Sequence, residues 1–269
     1  MLDFLFHVPL EKQKKVLLEF IKPICAENIQ KKKFHSFDYF TAAKRIRLSV
    51  VTKDEKALEK EFQVLWSLFL EKEASYFSRS DYKPIDTLFQ ELPISHLKVT
   101  LDSTNLNETD HHNFSLTNLE VLEELNENEY DLEYSICLFF TFMYCLGGFS
   151  PRHFFELAQE LRLYKQFDAQ TLGILNAQAD AIIDENREEI IKRLLSLFQE
   201  LLLCQPQNDL PSVFSKWKFS YGKITLNKEE DLIPVFEHFK SQLLFSDSEA
   251  HIILSIILNF MGGMIHDEK

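Results

Sequence analysis

Apolar and other positions alternate over Leu2–His7, the pattern of a short strand with one face buried, and the run stops at Pro9. From Leu10 to Gln30 the period changes. Val16, Leu17, Phe20, Ile21, Ile24 and Cys25 recur at helical spacing, which predicts an amphipathic helix bent near Pro23. Two extended runs follow, Phe34–Phe40 and Arg45–Val51, joined by a short connection at Thr41–Lys44. In the second run Ile46, Leu48 and Val50 alternate with Arg45, Arg47 and Ser49, so one face is expected buried and the other available. Asp54 then caps a helix over Asp54–Lys72, whose stripe is Leu58, Phe62, Leu65, Trp66 and Phe69. The order strand, helix, strand, strand, helix predicts an α+β unit with helices packed on a small antiparallel sheet.

Residues Glu73–Asn113 carry the least regular pattern, with Pro84, Pro93 and the polar run DSTNLNETDHHN; a further strand is expected at His96–Leu101. A connection of this length is either functional or a surface loop. Beyond Ser115 the period is helical throughout. A short acidic helix is expected at Thr117–Asn126, followed by Glu129–Leu146, apolar on nearly all sides and therefore central and buried, ending at Gly147-Gly148. Ser150-Pro151 opens the next helix, which runs to Leu163. A very long helical pattern covers Ala169–Cys204, and two last helices, Lys228–Leu243 and Ser246–Gly262, close the chain. The expectation is one mainly helical α+β domain, its α+β part at 1–113 and its helical part at 114–269.

Composition narrows the function. The chain has 269 residues, 45% of them hydrophobic, with 25 Phe and only six Gly, enough to bury a sizeable core. A net charge of −13 argues against nonspecific nucleic-acid binding, which needs a basic face. Basic islands at Lys31–Lys33 and Lys44–Arg47 still admit an anionic ligand locally. Cys25, Cys137, Cys145 and Cys204 are scattered through apolar segments without metal-ligand spacing, as buried small hydrophobes in a reducing cytoplasm are. The N-terminal stretch lacks signal-peptide character, and the apolar run Ile252–Met264 is short and interrupted by Asn259, so neither secretion nor a membrane partner is expected.

No Walker loop, GxGxxG, HExxH, GxSxG or EF-hand loop occurs. His111-His112 beside Asp110 lacks the spaced further ligands of a zinc centre, and no metal is expected. The carboxylates of Glu120–Asp131 read as a solvated face. His7, His153, His238 and His251 read as structural. What remains is Tyr39, His35, Arg45, Arg47 and His96, expected to gather on one sheet face. There the arginines would bind carbonyls or carboxylates, and Tyr39 or His35 would exchange a proton.

Three segments in order carry a family resemblance. SFDYFTAAKRIRLSV is similar to an aromatic strand, a connection and a strand of the type HLRLR. YDLEYSICLFFTFMYCLGGFSPRHFF, a buried helix with a Gly-containing turn, precedes the long helix holding NAQADAIIDENREEIIKRL. FSDSEAHIILSIILNFMGGM resembles a closing helix of the type SLIHMHCNRLFG. Together they resemble the thiopeptide-type bacteriocin biosynthesis domain, which forms the elimination domain of lantibiotic dehydratases and the stand-alone thiopeptide macrocyclases. The departures favour the second. SYFSRSDYKPIDTLFQEL stands where eliminases carry an acidic-tyrosine run, and Arg45 stands where the strand has histidine. Ser49 replaces its second arginine, Leu258 the closing histidine, and Gly262 and Gly263 the closing Asn-Arg pair. The resemblance implies an aza-[4+2] cycloaddition of two dehydroalanines in a leader-bearing azole peptide, with loss of water and leader to form a pyridine. No cofactor is implied. Tyr39, His35 and Arg47 would be catalytic, with Arg45 and His96 binding substrate. The precursor peptide would be the partner, a dehydratase a further one; the alternative is a non-catalytic module that binds the leader or the dehydratase.

Overall fold

The computed structural model describes residues 2–42, 44–73, 94–97, 108–127, 131–147, 151–203, 214–215, 217–218 and 232–267. They fall into two compact units, Met1–Leu122 and Glu123–Lys269. The protein is α+β and mainly helical, with a small antiparallel sheet near its N-terminus.

In the first unit, β1 (Leu2–His7) leads into α1 (Leu10–Val16), a π-helical turn (Leu17–Ile21) and α2 (Lys22–Gln30). The wide turn sits just ahead of Pro23, whose missing N–H interrupts the i→i−4 ladder where a bend was expected. β2 (Phe34–Ala42) and β3 (Arg45–Thr52) form a hairpin with a tighter connection than the four residues expected, since Ala42 pairs with Arg45. The buried amide of Gln13 holds the hairpin end to α1 by donating to the carbonyls of Val8 and Ala42. α3 (Glu55–Lys72) starts at an Asp54 cap that accepts from the Ala57 N–H at 3.1 Å. β4 (Ile94–Leu97) completes a sheet in the order β2-β3-β1-β4, every neighbour antiparallel. The expected continuation of that strand to Leu101 lies outside the described residues.

One face of the sheet makes the core of this unit. Leu2, Phe4 and Phe6 of β1 and Ile46, Leu48 and Val50 of β3 are fully buried there. Phe4 stacks on Phe62 with ring centroids 4.2 Å apart, and Phe6 meets Trp66 edge-on at 5.0 Å. The other face was expected to be available, and over much of its width it is not. α4 (Glu108–Glu127) begins well before the expected Thr117 and takes in His111 and His112. Its Ser115 hydroxyl donates to Asp38 Oδ1 at 2.9 Å, and Asp3, Asp38 and Ser49 are all buried. The first compact unit runs to Leu122, within this helix.

The second unit contains α5 (Asp131–Gly147), α6 (Pro151–Leu163), α7 (Ala169–Leu203), α8 (Leu232–Gln242) and α9 (Asp247–Asp267). α5 is its centre, as an all-round apolar helix must be: Ile136–Phe140, Phe142 and Met143 are buried, and Phe142 stacks on Phe239 at 4.3 Å. α7 bends at Asn186 (φ −126°, ψ 15°), whose side-chain amide donates to the Ile182 carbonyl. The α8–α9 corner is held by buried Lys240, which pairs with Glu237 at 2.8 Å and with Asp247 and donates to the Tyr164 hydroxyl. Burial pushes the Asp247 carboxyl up, but hydrogen bonds from Lys165 and Lys240 outweigh it and hold the group below the ordinary carboxylate range.

Cys25 and Cys137 are buried unpaired thiols, and burial raises Cys137 and Cys145 to about 12, as expected of inert small hydrophobes; Cys204 lies outside the described residues. Among the described residues no single helix is long and apolar enough to cross a membrane.

Candidate functional site

The hairpin register distributes the residues expected to form a site. In an antiparallel ladder, directly opposed residues share a face. Tyr39 is opposite Leu48, which is opposite Phe4, so Tyr39 belongs to the helix-packed face and is 1% exposed. Arg47 is opposite Phe40 and Leu5, and Arg45 opposite Ala42 and His7, both on the other face. The sheet therefore separates Tyr39 from the two arginines, against the expectation that they gather on one face. His35 lies in the irregularity between Phe34 and Ser36 and is exposed. It is five residues along β2 from the partner of Arg47, about 17 Å at ordinary strand rise, so it does not join them either. His96 is opposite Phe4 in the ladder.

What the strands do assemble is two arginines, two residues apart on one face of β3. Arg45 is exposed, and Arg47 is half-buried with its guanidinium carbon 5.7 Å from the Phe40 ring centroid. Next to them the face turns inward to buried Ser49 and Asp38, where Asp38 Oδ1 accepts from the Tyr39 N–H at 2.9 Å as well as from Ser115. The arginines can donate to carbonyl or carboxylate oxygens from the part of this face left open beside exposed His7 and half-buried Leu5 and Phe40.

The helical unit holds a separate concave surface of about 430 Å³. α6 contributes Phe155, Gln159 and Arg162, α7 Asn176, Ala179, Asp180 and Ile183, and α9 Ser255, Leu258 and Asn259. Spacings of three and four residues put each set on one face of its helix. Arg162 Nη1 donates to Ser255 Oγ at 3.5 Å, while its buried Nε–H has no hydrogen-bond acceptor among the described residues. The Ser255 hydroxyl donates to the His251 carbonyl at 2.8 Å, and His251 Nε2 lies 3.1 Å from Asn176 Oδ1. Burial lowers the His251 pKa below its ordinary 6.5, and the positive charge of Arg162 lowers it further, against a smaller opposing effect of the Arg162 backbone.

These residues were not among those singled out from the sequence. Arg162 and Asn176 stand in amphipathic helices where a polar residue is unremarkable. His251 did carry a signal, because Ala250, Ile253, Leu254 and Ile257 around it are core positions, and an imidazole on such a stripe needs a polar partner. Leu258, which the resemblance aligns with a closing histidine, lines the groove and is 9% exposed. The segment aligned with the acidic-tyrosine run, residues 75–92, lies outside the described residues.

In sequence the chain matches no protein-family model and no curated protein. In structure it is similar to TsrL: the crystal structure of that protein aligns with a TM-score of 0.64 over 99% of this chain and 95% of the other, at 13% identity. At that identity the likeness establishes a shared fold.

Proposed function

We propose that the protein acts on a modified peptide in thiopeptide biosynthesis. In this reading it is a macrocyclase that joins two dehydroalanines of a leader-bearing azole peptide and expels water and the leader to form a pyridine. The observation that carries the reading is the end-to-end likeness to TsrL, a thiopeptide biosynthesis protein, in a chain whose motifs resemble the same family. Such a reaction asks little of side-chain chemistry. Two ends must be held in reach of each other, one amide must be favoured in its imidic form, and the leaving groups must receive protons. Arg47, half-buried and steadied over Phe40, is suited to hold the oxygen of the reacting amide, and exposed Arg45 to hold the flanking backbone.

The test is mass spectrometry of the protein incubated with a synthetic leader-bearing peptide containing thiazoles and two dehydroalanines. Release of the leader amide with a pyridine-containing macrocycle is the expected result. Arg47→Ala is expected to lower turnover by about a hundredfold, the loss typical of one transition-state donor, with the melting temperature unchanged.

One observation favours a second reading. Leu258, at the position aligned with the closing histidine, lines the groove together with Ala179 and Ile183, and a leucine there supplies no proton. In this reading the protein binds the leader peptide or a dehydratase without turning it over. Leader binding with no product in the same assay selects it.

A further inference from the structure

We propose that the groove between α6, α7 and α9 binds the free C-terminal carboxylate of a peptide, anchored by Arg162. The assignment concerns the helical unit alone and stands whether or not the protein is a cyclase. Arg162 supplies the cation of the lining, and among the described residues it lacks an adequate acceptor: Nε–H is buried and unmet there, and Nη1 reaches only a hydroxyl oxygen at 3.5 Å whose own proton is directed to the His251 carbonyl. A partly buried guanidinium in that condition is best completed by a carboxylate, which can take two of its N–H groups side by side.

The rest of the lining describes what is attached to that carboxylate. Gln159, Asn176 and Asn259 present carboxamides, each able to donate and accept as a peptide unit requires. Asn176 is set in place by His251 at 3.1 Å. Ala179, Ile183 and Leu258 supply apolar surface for a terminal side chain. A volume of about 430 Å³ lies in the range of small-ligand sites. Asp180 in the same lining and a net charge of −13 oppose a polyanion, so phosphate groups and strongly acidic segments fit poorly. A single terminal negative charge on an otherwise neutral or cationic peptide satisfies both.

Isothermal titration calorimetry of the full chain with N-acetyl-glycyl-leucyl-phenylalanine, as the free acid and as the C-terminal amide, tests this. The free acid is expected to bind, and the amide to bind at least about tenfold more weakly. Arg162→Gln should weaken the free acid by a similar factor at unchanged melting temperature. Because Arg162 is partly buried, Asn259→Ala at an exposed groove position serves as a second variant, expected to weaken the free acid severalfold. Equal binding of acid and amide, or heat from neither, overturns the proposal. So does equal binding of an amidated peptide with an internal glutamate, or of acetate alone, which would make the groove a site for acidic side chains or for bare carboxylates. Failure of the cyclisation assay leaves each of these outcomes readable.

Discussion

Tyr39 and Arg47 show how much one residue of register matters. Both lie in strands that the hydrophobic pattern located well, yet they face opposite ways. The parity was within reach of the sequence: any hairpin joined by an even number of residues opposes Tyr39 to Ile46 or Leu48, both core positions. The physical consequence is that Tyr39 packs as a core aromatic. Tyr39→Phe, which keeps the buried ring, is therefore expected to keep cyclisation within about threefold and to change stability by no more than about 1 kcal/mol; a hundredfold loss of turnover at full stability would restore Tyr39 as a proton donor. His251 makes a second prediction at this scale. Its pKa is lowered in the folded state by burial and by Arg162, so the unfolded chain binds the proton more readily. The stability it contributes is complete above the ordinary imidazole value of 6.5 and is lost as pH falls from there through the folded value. Urea unfolding at about pH 7.5 and about pH 5.5 should show a smaller acid-side loss in His251→Gln than in the parent. An equal loss in both would clear His251 of the effect.

Among the elements, those built on periodicity and caps were legible: β1, α3 with its Asp54 cap, α5 and α6 lie within a few residues of their expected bounds. α4 was foreshortened, because its first turns carry the polar stretch ETDHHN that reads as loop, while the tertiary contact of Ser115 with Asp38 gives that helix a face to lie on. α3 is the element whose packing matters most to the sheet. Phe62 is fully buried and touches the rings of Phe4, Phe20 and Phe34. Phe62→Ala is expected to cost about 3–5 kcal/mol, read as a lower urea midpoint, and a loss under 1 kcal/mol would mean that the aromatic cluster repacks. At the end of α2, exposed Lys32 holds a left-handed φ of 57° while Lys33 N–H bonds the Asn28 carbonyl, the arrangement in which glycine is favoured. Lys32→Gly should raise stability by about 0.5–1 kcal/mol, the relief of the left-handed penalty less the entropy glycine adds to the unfolded chain. Thermal melts decide the sign.

For the whole molecule, a charge of −13 sets which peptides approach readily. An acidic leader should associate faster as salt rises from about 50 mM to about 500 mM, because screening removes repulsion, and a basic leader should slow. Stopped-flow association rates check this, and an acidic leader slowed by salt would point to local capture by Arg45 and Arg47. At this scale the order of elements among the described residues was readable from the chain. Alternation marked the sheet, helical spacing marked the rest, and both are local properties that each segment carries in its own residues. The candidate sites were decided elsewhere. The buried Asp38 carboxylate is met by Ser115 from a helix dozens of residues away, and the groove needs Arg162, Asn176 and Ser255 from three helices. Sequence alone determined the α+β architecture and the apolar faces that drive its burial. Only tertiary packing determined which polar groups those faces bring together, because that depends on which distant elements meet and how each helix is rotated, and neither is encoded in any one segment.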